Sequence, residues 1–171
     1  GKVRLYDQIR KTLYVGLVSY VEEFAERNGY AIEYVTPMGR SSNITYDVVE
    51  QYLTKLNLPE KIEIRDYQIE AIQTALDKER TVLLSPTGSG KSFIIYSIMR
   101  WHIMAGRKCI LVVPTTSLVE QMYSDFEDYS SVNGWDVDTH CQKLYSGFSK
   151  DFQKDVLITT WQSIYLQPRA W

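Results

Sequence analysis

The residues of this chain best suited to chemistry form the segment Ser85-Pro86-Thr87-Gly88-Ser89-Gly90-Lys91-Ser92, which follows a short apolar run. Gly88 and Gly90 lack a Cβ atom, so the backbone N–H groups of a turn can approach an anion closely there. A helix that begins near Lys91 would add its unpaired N–H groups and the positive end of its dipole. The order of apolar strand, glycine-rich turn and helix therefore predicts a cradle for phosphate.

The last two residues of this segment could provide the other contacts that a bound nucleoside triphosphate requires. The Lys91 ammonium can reach the β and γ phosphates, and the Ser92 hydroxyl can hold Mg²⁺. The usual P-loop pattern has glycine where this chain has Ser85, and a Gly-Ser-Gly turn also occurs as an ordinary strand-to-helix connection. The phosphate interpretation assigns contacts to Pro86, Thr87, Gly88, Ser89, Gly90, Lys91 and Ser92.

The segment Arg65-Asp66-Tyr67-Gln68 lies upstream of the cradle and could bind a nucleotide base. The Gln68 amide can donate to and accept from an adenine edge together, which selects adenine over guanine. The Tyr67 ring or the Arg65 guanidinium can cover the face of the base. The alternative is a solvent-facing helix start capped by Asp66, and the pattern alone favours that alternative.

Two hydroxyl-rich turns follow apolar strands farther along the chain and could contact a polynucleotide. Each turn places hydroxyls and helix N–H groups at a strand end, where they can bind successive phosphates. Helix capping by Ser and Thr explains the same pattern, and Trp161 fits core packing better than base stacking. The predicted contacts are Pro114, Thr115, Thr116, Gln121, Thr159, Thr160, Trp161 and Gln162.

The composition of the 171-residue chain limits its partners and its compartment. It has 44% hydrophobic residues, enough for a packed core, and a net charge of −2 that gives no global attraction to nucleic acid or membrane. Its only cysteines are Cys109 and Cys141, so free thiols in a reducing compartment such as the cytoplasm are expected. No apolar run reaches the length of a membrane span, and no signal peptide is visible.

Hydrophobic periodicity predicts an α/β fold in two parts, residues 1–59 and 60–171. The first part shows short strands near Val3–Leu5 and Leu13–Val15, a helix ending at Asn28-Gly29, a strand at 30–35, a loop at 36–44 and a helix at 47–56. The second part shows helices at 66–79, 91–105 and 118–129, strands at 81–85, 108–113, 140–145 and 155–160, and a loop containing Gly147. Such alternation predicts a parallel sheet flanked by helices, with ligands beyond the carboxyl ends of the strands.

The four polar segments occur in an order that resembles superfamily 2 helicases. Their Q-type motif and motifs I, Ia and Ib correspond to Arg-Asp-Tyr-Gln, Ser-Pro-Thr-Gly-Ser-Gly-Lys-Ser, Val-Val-Pro-Thr-Thr-Ser-Leu-Val-Glu-Gln and Ile-Thr-Thr-Trp-Gln-Ser. The resemblance covers nearly the whole chain and extends to bacteriophage members of the family. It implies a RecA-like P-loop domain at 60–171, incomplete at its C-terminal end, after a small α/β module.

The resemblance also implies a function. The family contains ATP-driven DNA helicases and translocases that act on branched or forked DNA in recombination and repair. On this basis Gln68 would read adenine, Lys91 would be the catalytic residue that holds the phosphates, and Ser92 would hold Mg²⁺. The turns at 114–116 and 159–162 would line the DNA path. A phage-encoded member would act in the cytoplasm of its bacterial host.

The chain departs from the family in its acidic residues. ATP hydrolysis needs one carboxylate for Mg²⁺ and another to position water, yet the apolar strands here end in Pro-Thr and Thr-Thr. Asp125-Phe126-Glu127-Asp128 lies on a predicted helix and is a poor substitute. The acidic motif and a second RecA-like domain are expected beyond Trp171, so the chain alone is expected to be inactive. The alternatives are a P-loop small-molecule kinase and a non-catalytic nucleic-acid-binding or annealing fragment.

Overall fold

The structure is a computed structural model that describes residues 6–34, 43–78, 80–145 and 153–165. The chain divides into two compact units, residues 1–40 and 41–171. Several predicted features lie outside the described residues. They are the strand near Val3 and Leu5, most of the 36–44 loop, the loop around Gly147 and the end of the resemblance at 167–171.

The first unit contains a β-hairpin and one long helix. Strands β1 (Tyr6–Asp7) and β2 (Thr12–Leu13) pair antiparallel. Helix α1 (Val18–Asn28) ends at Gly29, whose φ of 69° provides the predicted left-handed cap. The strand predicted at 30–35 is wrong for the part that the structure describes. Residues 30–34 are irregular because they pair with neither strand of the hairpin.

Four long helices make up most of the second unit. They are α2 (Tyr46–Lys55), α3 (Asp66–Lys78), α4 (Lys91–Met104) and α5 (Thr116–Ser130). Their positions confirm the four helices predicted from apolar residues at helical spacing. The most buried helix surface belongs to α4, which packs Phe93, Tyr96 and Met99 into the core. An apolar helix of this kind needs neighbours on several sides.

Helix α2 belongs to the packed core of the second unit. It contacts α3, and its Tyr52 hydroxyl donates to the backbone carbonyl of Ser97 on α4 at 2.6 Å. The compact units therefore divide between residues 40 and 41. The boundary predicted near residue 59 stays a prediction about domain organisation.

A three-stranded parallel sheet completes the second unit. Its strands are β3 (Cys109–Val113), β4 (Cys141–Leu144) and β5 (Val156–Thr160), in the spatial order β3-β5-β4. All five residues of the central strand β5 are buried. The short helix α6 (Val137–His140) precedes β4, and α7 (Trp161–Tyr165) follows β5. These elements confirm the predicted α/β class, with a parallel sheet flanked by helices.

The apolar run 81–85 is not a strand, which corrects the prediction. It is irregular and joins neither sheet, and Val82 and Leu84 are 84% and 94% exposed. A strand needs a neighbouring strand to satisfy its backbone groups. Within the described ranges, β3 pairs with β5 alone, and Ile110 and Val112 of β3 are about half exposed. The described sheet therefore ends at β3, and the run 81–85 pairs with no described strand.

Candidate nucleotide-binding site

The loop before α4 has the backbone conformation that its glycines permit. Gly88 and Gly90 have φ values of 80° and 76°, in the left-handed region that other residues rarely adopt. The Ser89 hydroxyl closes the turn by donating to the Pro86 carbonyl at 2.9 Å. Helix α4 begins at Lys91 with Gly90 as its N-cap, so the first N–H groups of the helix lack carbonyl acceptors within it. The loop thus has the turn and helix start expected of a phosphate cradle.

Helix α3 holds this loop through the residues predicted to bind adenine. Gln68 is buried, and its Nε2 donates to the Ser89 carbonyl at 3.0 Å while its Oε1 accepts from the Arg65 N–H at 3.1 Å. The Tyr67 hydroxyl donates to the same Ser89 carbonyl at 3.1 Å. A Cβ atom at Gly90 would clash with Gln68 Nε2. A larger residue at this position would therefore displace the Gln68 amide from the Ser89 carbonyl and would also have to adopt a left-handed φ.

A cavity of about 590 Å³ adjoins the start of α3 and the loop. It is lined by residues 82–89 together with Arg65, Tyr67, Ala71 and Ile94. The Arg65 guanidinium donates to the Tyr67 hydroxyl at 3.2 Å, so the two groups predicted to cover a base lie together in its wall. The volume lies in the range of about 300–1,000 Å³ that is typical of small-molecule sites. Arg65 and Tyr67 thus share one cavity with the predicted phosphate-loop residues 86–89, whereas Gln68, Gly90, Lys91 and Ser92 are not among the residues that line it.

Lys91 and Ser92 begin the same helix but have different partners. The exposed Lys91 Nζ donates to the carbonyls of Ser85 at 3.2 Å and Pro86 at 2.6 Å. The Ser92 hydroxyl lies 2.9 Å from the Tyr129 hydroxyl. An ammonium held by two loop carbonyls can exchange them for phosphate oxygens, because its three N–H donors rotate freely.

Tyr129 lies at the end of the helix predicted at 118–129, and no local sequence pattern indicates that it reaches Ser92. Its hydroxyl meets Ser92 although 37 residues separate the two in the chain. Burial raises the pKa of the Tyr129 hydroxyl, and the hydrogen bond with Ser92 opposes that effect. Ala71 and Ile94, which line the cavity, also carry no local signal. Only tertiary packing brings these residues to the site.

The two hydroxyl-rich turns leave the sheet side by side. Val113 and Thr160, the last residues of β3 and β5, are register partners. The turns that follow them therefore start at the same rim, as predicted for parallel strands. Six of the predicted DNA contacts are exposed there: Pro114, Thr115, Thr116, Gln121, Trp161 and Gln162.

The other two predicted contacts, Thr159 and Thr160, are buried. The Thr159 hydroxyl donates to the Leu144 carbonyl at 2.7 Å, and the Thr160 hydroxyl oxygen accepts from a backbone N–H of α7 at 3.4 Å. The Thr115 oxygen likewise caps α5 by accepting from a backbone N–H at 3.3 Å. The bonds of Thr115 and Thr160 fit the capping alternative, whereas that of Thr159 satisfies a carbonyl of the neighbouring strand. DNA contact at both turns stays a prediction, and the exposed residues are where it would occur.

The two cysteines are free thiols, as predicted. Cys109 and Cys141 both pair with Val156, from opposite sides of β5. Two strand spacings of about 4.8 Å each therefore separate them, farther than the roughly 7 Å between Cα atoms that a disulfide can bridge. Burial raises the pKa of Cys141 to about 12, so its thiol is protonated at neutral pH.

The described residues contain neither a metal-binding cluster nor a membrane-spanning helix. No group of three or more His, Cys, Asp or Glu side chains among them could hold a metal ion. None of their helices combines the length and the apolar character that a membrane crossing requires.

Comparisons with known proteins agree with the family that the sequence motifs suggest. The profile of the ResIII family, described as "Type III restriction enzyme, res subunit", matches residues 61–169. The ATP-dependent DNA helicase uvsW of Enterobacteria phage T4 is 31% identical over 179 aligned positions, which cover 100% of this chain and 35% of uvsW. The DNA 3'-5' translocase XPB2 of Sulfurisphaera tokodaii is 29% identical over 122 positions, 70% of this chain and 25% of that protein.

Solved structures agree with the sequence comparisons. Two crystal structures of the bacteriophage T4 UvsW helicase each match with a TM-score of 0.85 and 29% identity. The match covers 99% of this chain and 35% of one of those chains, and 100% of this chain and 62% of the other. The chain spans about a third of the length of uvsW. The resemblance to superfamily 2 helicases is confirmed: the chain belongs to the ResIII family and is homologous to the UvsW helicase of phage T4.

Proposed function

We propose that this chain is the ATP-binding part of a DNA helicase or translocase that acts on branched or forked DNA in the bacterial cytoplasm. The names of two longer relatives support motor activity on DNA, since uvsW is an ATP-dependent DNA helicase and XPB2 a DNA 3'-5' translocase. The preference for branched DNA rests on the motif resemblance. Motor activity on DNA would require the further parts of the chain that these longer relatives have.

The observation that carries the nucleotide part of the proposal is the shared cavity of about 590 Å³. Arg65 and Tyr67 give it a planar cation and a ring that can cover a purine. The 85–89 loop gives it backbone groups in left-handed turns that can surround phosphate. The start of α4 adds N–H groups and a positive dipole end. The proposed positions of the base and of the phosphate chain thus adjoin each other, and the phosphate position adjoins the N-terminus of α4.

Lys91 and Ser92 would complete the phosphate site. In this proposal the Lys91 ammonium leaves the loop carbonyls and binds the β and γ phosphates, where it stabilises developing negative charge. The Ser92 hydroxyl would hold Mg²⁺. One hydroxyl together with phosphate oxygens and waters fits the oxygen ligands that this ion prefers. Mg²⁺ supplies charge neutralisation across the phosphates when it is bound.

Substitution of Lys91 tests this site most directly. Lys91→Ala is expected to weaken Mg²⁺·ATP binding by at least about tenfold, the usual effect of losing a hydrogen bond to a charged group. Isothermal titration calorimetry measures the affinity. Lys55→Ala removes the same charge in the last turn of α2 and serves as the control, with unchanged affinity. Equal ATP binding by the Lys91 variant would show that the cradle is assigned wrongly.

Gln68 is proposed to read the adenine edge. Its amide fixes the loop in this structure, so adenine would have to replace or share those bonds. As an adenine reader, Gln68 should favour ATP, and Gln68→Ala should narrow the ratio of ATP to GTP affinity. As a loop anchor alone, it would support both nucleotides equally. An unchanged ratio with weaker binding of both nucleotides would exclude the adenine role.

DNA is proposed to bind at the rim formed by the turns after β3 and β5. The support is the adjoining start of the two turns and the 58% exposure of Trp161. Stacking of a base on an aromatic side chain is worth about 1–3 kcal/mol, so Trp161→Ala should lower the affinity for a forked oligonucleotide about fivefold or more. Binding should be tolerant of sequence. Fluorescence anisotropy measures it, and a cross-link that maps to the opposite rim would refute this path.

The chain alone is proposed to bind ATP without appreciable turnover. Hydrolysis needs a carboxylate that completes the Mg²⁺ shell, a group that aligns water and a charge on the γ phosphate, the last worth about 10³–10⁵ in rate. The part of the chain that the structure describes contains no group of three or more His, Cys, Asp or Glu side chains that could hold a metal ion. Phosphate release by the purified chain should stay at background. Steady turnover that Lys91→Ala abolishes would contradict this proposal.

A further inference from the structure

We propose that Tyr129 is a positioning residue for Ser92. The Tyr129 oxygen accepts a hydrogen bond from the Ser92 hydroxyl, so that the lone pairs of the serine oxygen face the Mg²⁺ of bound ATP. This inference rests on the proposed nucleotide function. The two hydroxyl oxygens lie 2.9 Å apart, a normal length for an O–H···O hydrogen bond. Tyr129 lies in the last turn of α5 and Ser92 in the first turn of α4. The hydrogen bond therefore joins the phosphate-site helix to the helix that follows β3.

The position of the Tyr129 hydroxyl is fixed by ring packing. Its ring meets Phe93 edge-on, with centroids 5.7 Å apart, and lies tilted against Tyr96 at 5.3 Å. Tyr96 is itself fully buried, and its hydroxyl lies 2.9 Å from the Ser130 hydroxyl. Aromatic pairs at these separations are favourable beyond the area that they bury. Because other contacts hold the ring, little rotational freedom is lost when its oxygen bonds Ser92.

The chemistry of a serine ligand explains why such an acceptor matters. A hydroxyl has one proton and two lone pairs, and a metal ligand must direct a lone pair to the cation. If the Ser92 hydroxyl donates its hydrogen bond to the Tyr129 oxygen, both lone pairs of the serine oxygen stay available to the cation. Without that acceptor, a serine in the first turn of a helix can rotate and donate to a backbone carbonyl of the preceding turn.

The test separates metal-dependent from metal-independent binding in the whole chain. Tyr129→Phe keeps the ring contacts and removes one hydroxyl. It should weaken ATP binding with Mg²⁺ by about threefold to tenfold, the range for one hydrogen bond, and leave ATP binding in EDTA within about twofold of the parent chain. Isothermal titration calorimetry gives both affinities. A structural role would lower them together.

Two further variants make the test specific. Tyr123→Phe removes a hydroxyl from the same helix, where it donates to Asp138, and should change neither affinity. Ser92→Ala should weaken Mg²⁺·ATP binding, and Tyr129→Phe should add nothing in that background, because the tyrosine acts through the serine. Ser92→Ala also examines the hydrogen bond from its other side if Tyr129→Phe folds poorly.

The failing outcomes differ for the inference and for the proposed function. Unchanged Mg²⁺·ATP affinity in Tyr129→Phe, an equal loss in EDTA, or an additive loss in the Ser92→Ala background would overturn the role of Tyr129 alone. A parent chain that binds no ATP in either condition would overturn the nucleotide function, and the role of Tyr129 with it.

Discussion

Strand β5 and the run 81–85 have nearly the same apolar character but opposite environments. β5 has neighbours on both sides, β3 and β4, and all of its residues are buried. The run 81–85 pairs with no described strand, and Val82 and Leu84 face solvent. The comparison shows that composition makes a strand possible, whereas the neighbouring strands decide whether it forms. An exposed apolar run and an open sheet edge each favour association between molecules.

The phosphate loop is nevertheless ordered at the end of this exposed run. Its anchors are helices: α3 donates to the Ser89 carbonyl from Gln68 and Tyr67, and α4 continues from Gly90. In β5 the backbone ladder holds the chain, while in the loop side-chain hydrogen bonds from a helix take that role. The two regions should therefore respond to different substitutions.

The largest contrast is expected between Ile158 in β5 and Leu84 in the exposed run. Ile158 is 0% exposed, so Ile158→Ala should lower the free energy of unfolding by about 2–5 kcal/mol through the lost burial and the cavity left behind. Leu84→Ala should change it by less than about 0.5 kcal/mol. Urea unfolding followed by circular dichroism measures both. Similar losses would mean that Leu84 is buried in solution, for example against a second molecule.

The next contrast lies within the loop, between Gly90 and Gly88. Both have left-handed φ values, but an added Cβ meets Gln68 at Gly90 and nothing within 4 Å at Gly88. Gly88→Ala should cost about 1–2 kcal/mol of stability from backbone strain alone. Gly90→Ala should cost about 2–4 kcal/mol, because it also displaces the buried Gln68 amide from the Ser89 carbonyl. Thermal and urea unfolding give the comparison.

The double variant Gln68→Ala/Gly90→Ala is the control for this contrast. With the amide gone, the cost of alanine at position 90 should fall to that measured at position 88, because only the backbone strain remains. If Gly88→Ala and Gly90→Ala cost the same in the parent chain, the hydrogen bond between α3 and the loop contributes little to holding the cradle.

These contrasts also show what sequence can and cannot predict here. The helices followed from apolar residues at helical spacing, and the loop from glycines whose left-handed φ values a turn demands. The run 81–85 failed as a strand because pairing is a property of distant segments. The hydrogen bonds of Gln68 and the approach of Tyr129 to Ser92 are likewise tertiary, and no local pattern carries them. The sequence could nominate residue types for a candidate site, which stays a prediction, whereas it could not give the hydrogen-bond partners of those residues.

The smallest contrast lies at the end of β5, between the buried Thr159 and the exposed Gln162 that follows the strand. Thr159→Val keeps the volume and removes the hydroxyl that donates to Leu144, so the free energy of unfolding should fall by about 1 kcal/mol while DNA affinity stays unchanged. Gln162→Ala, at an exposed position beyond the same strand, should lower DNA affinity and leave the unfolding free energy within about 0.5 kcal/mol. Anisotropy with a forked oligonucleotide and urea unfolding give the four values. The reverse result, a loss of DNA affinity without loss of stability in Thr159→Val, would mean that this hydroxyl faces the nucleic acid and that the end of β5 is open to it.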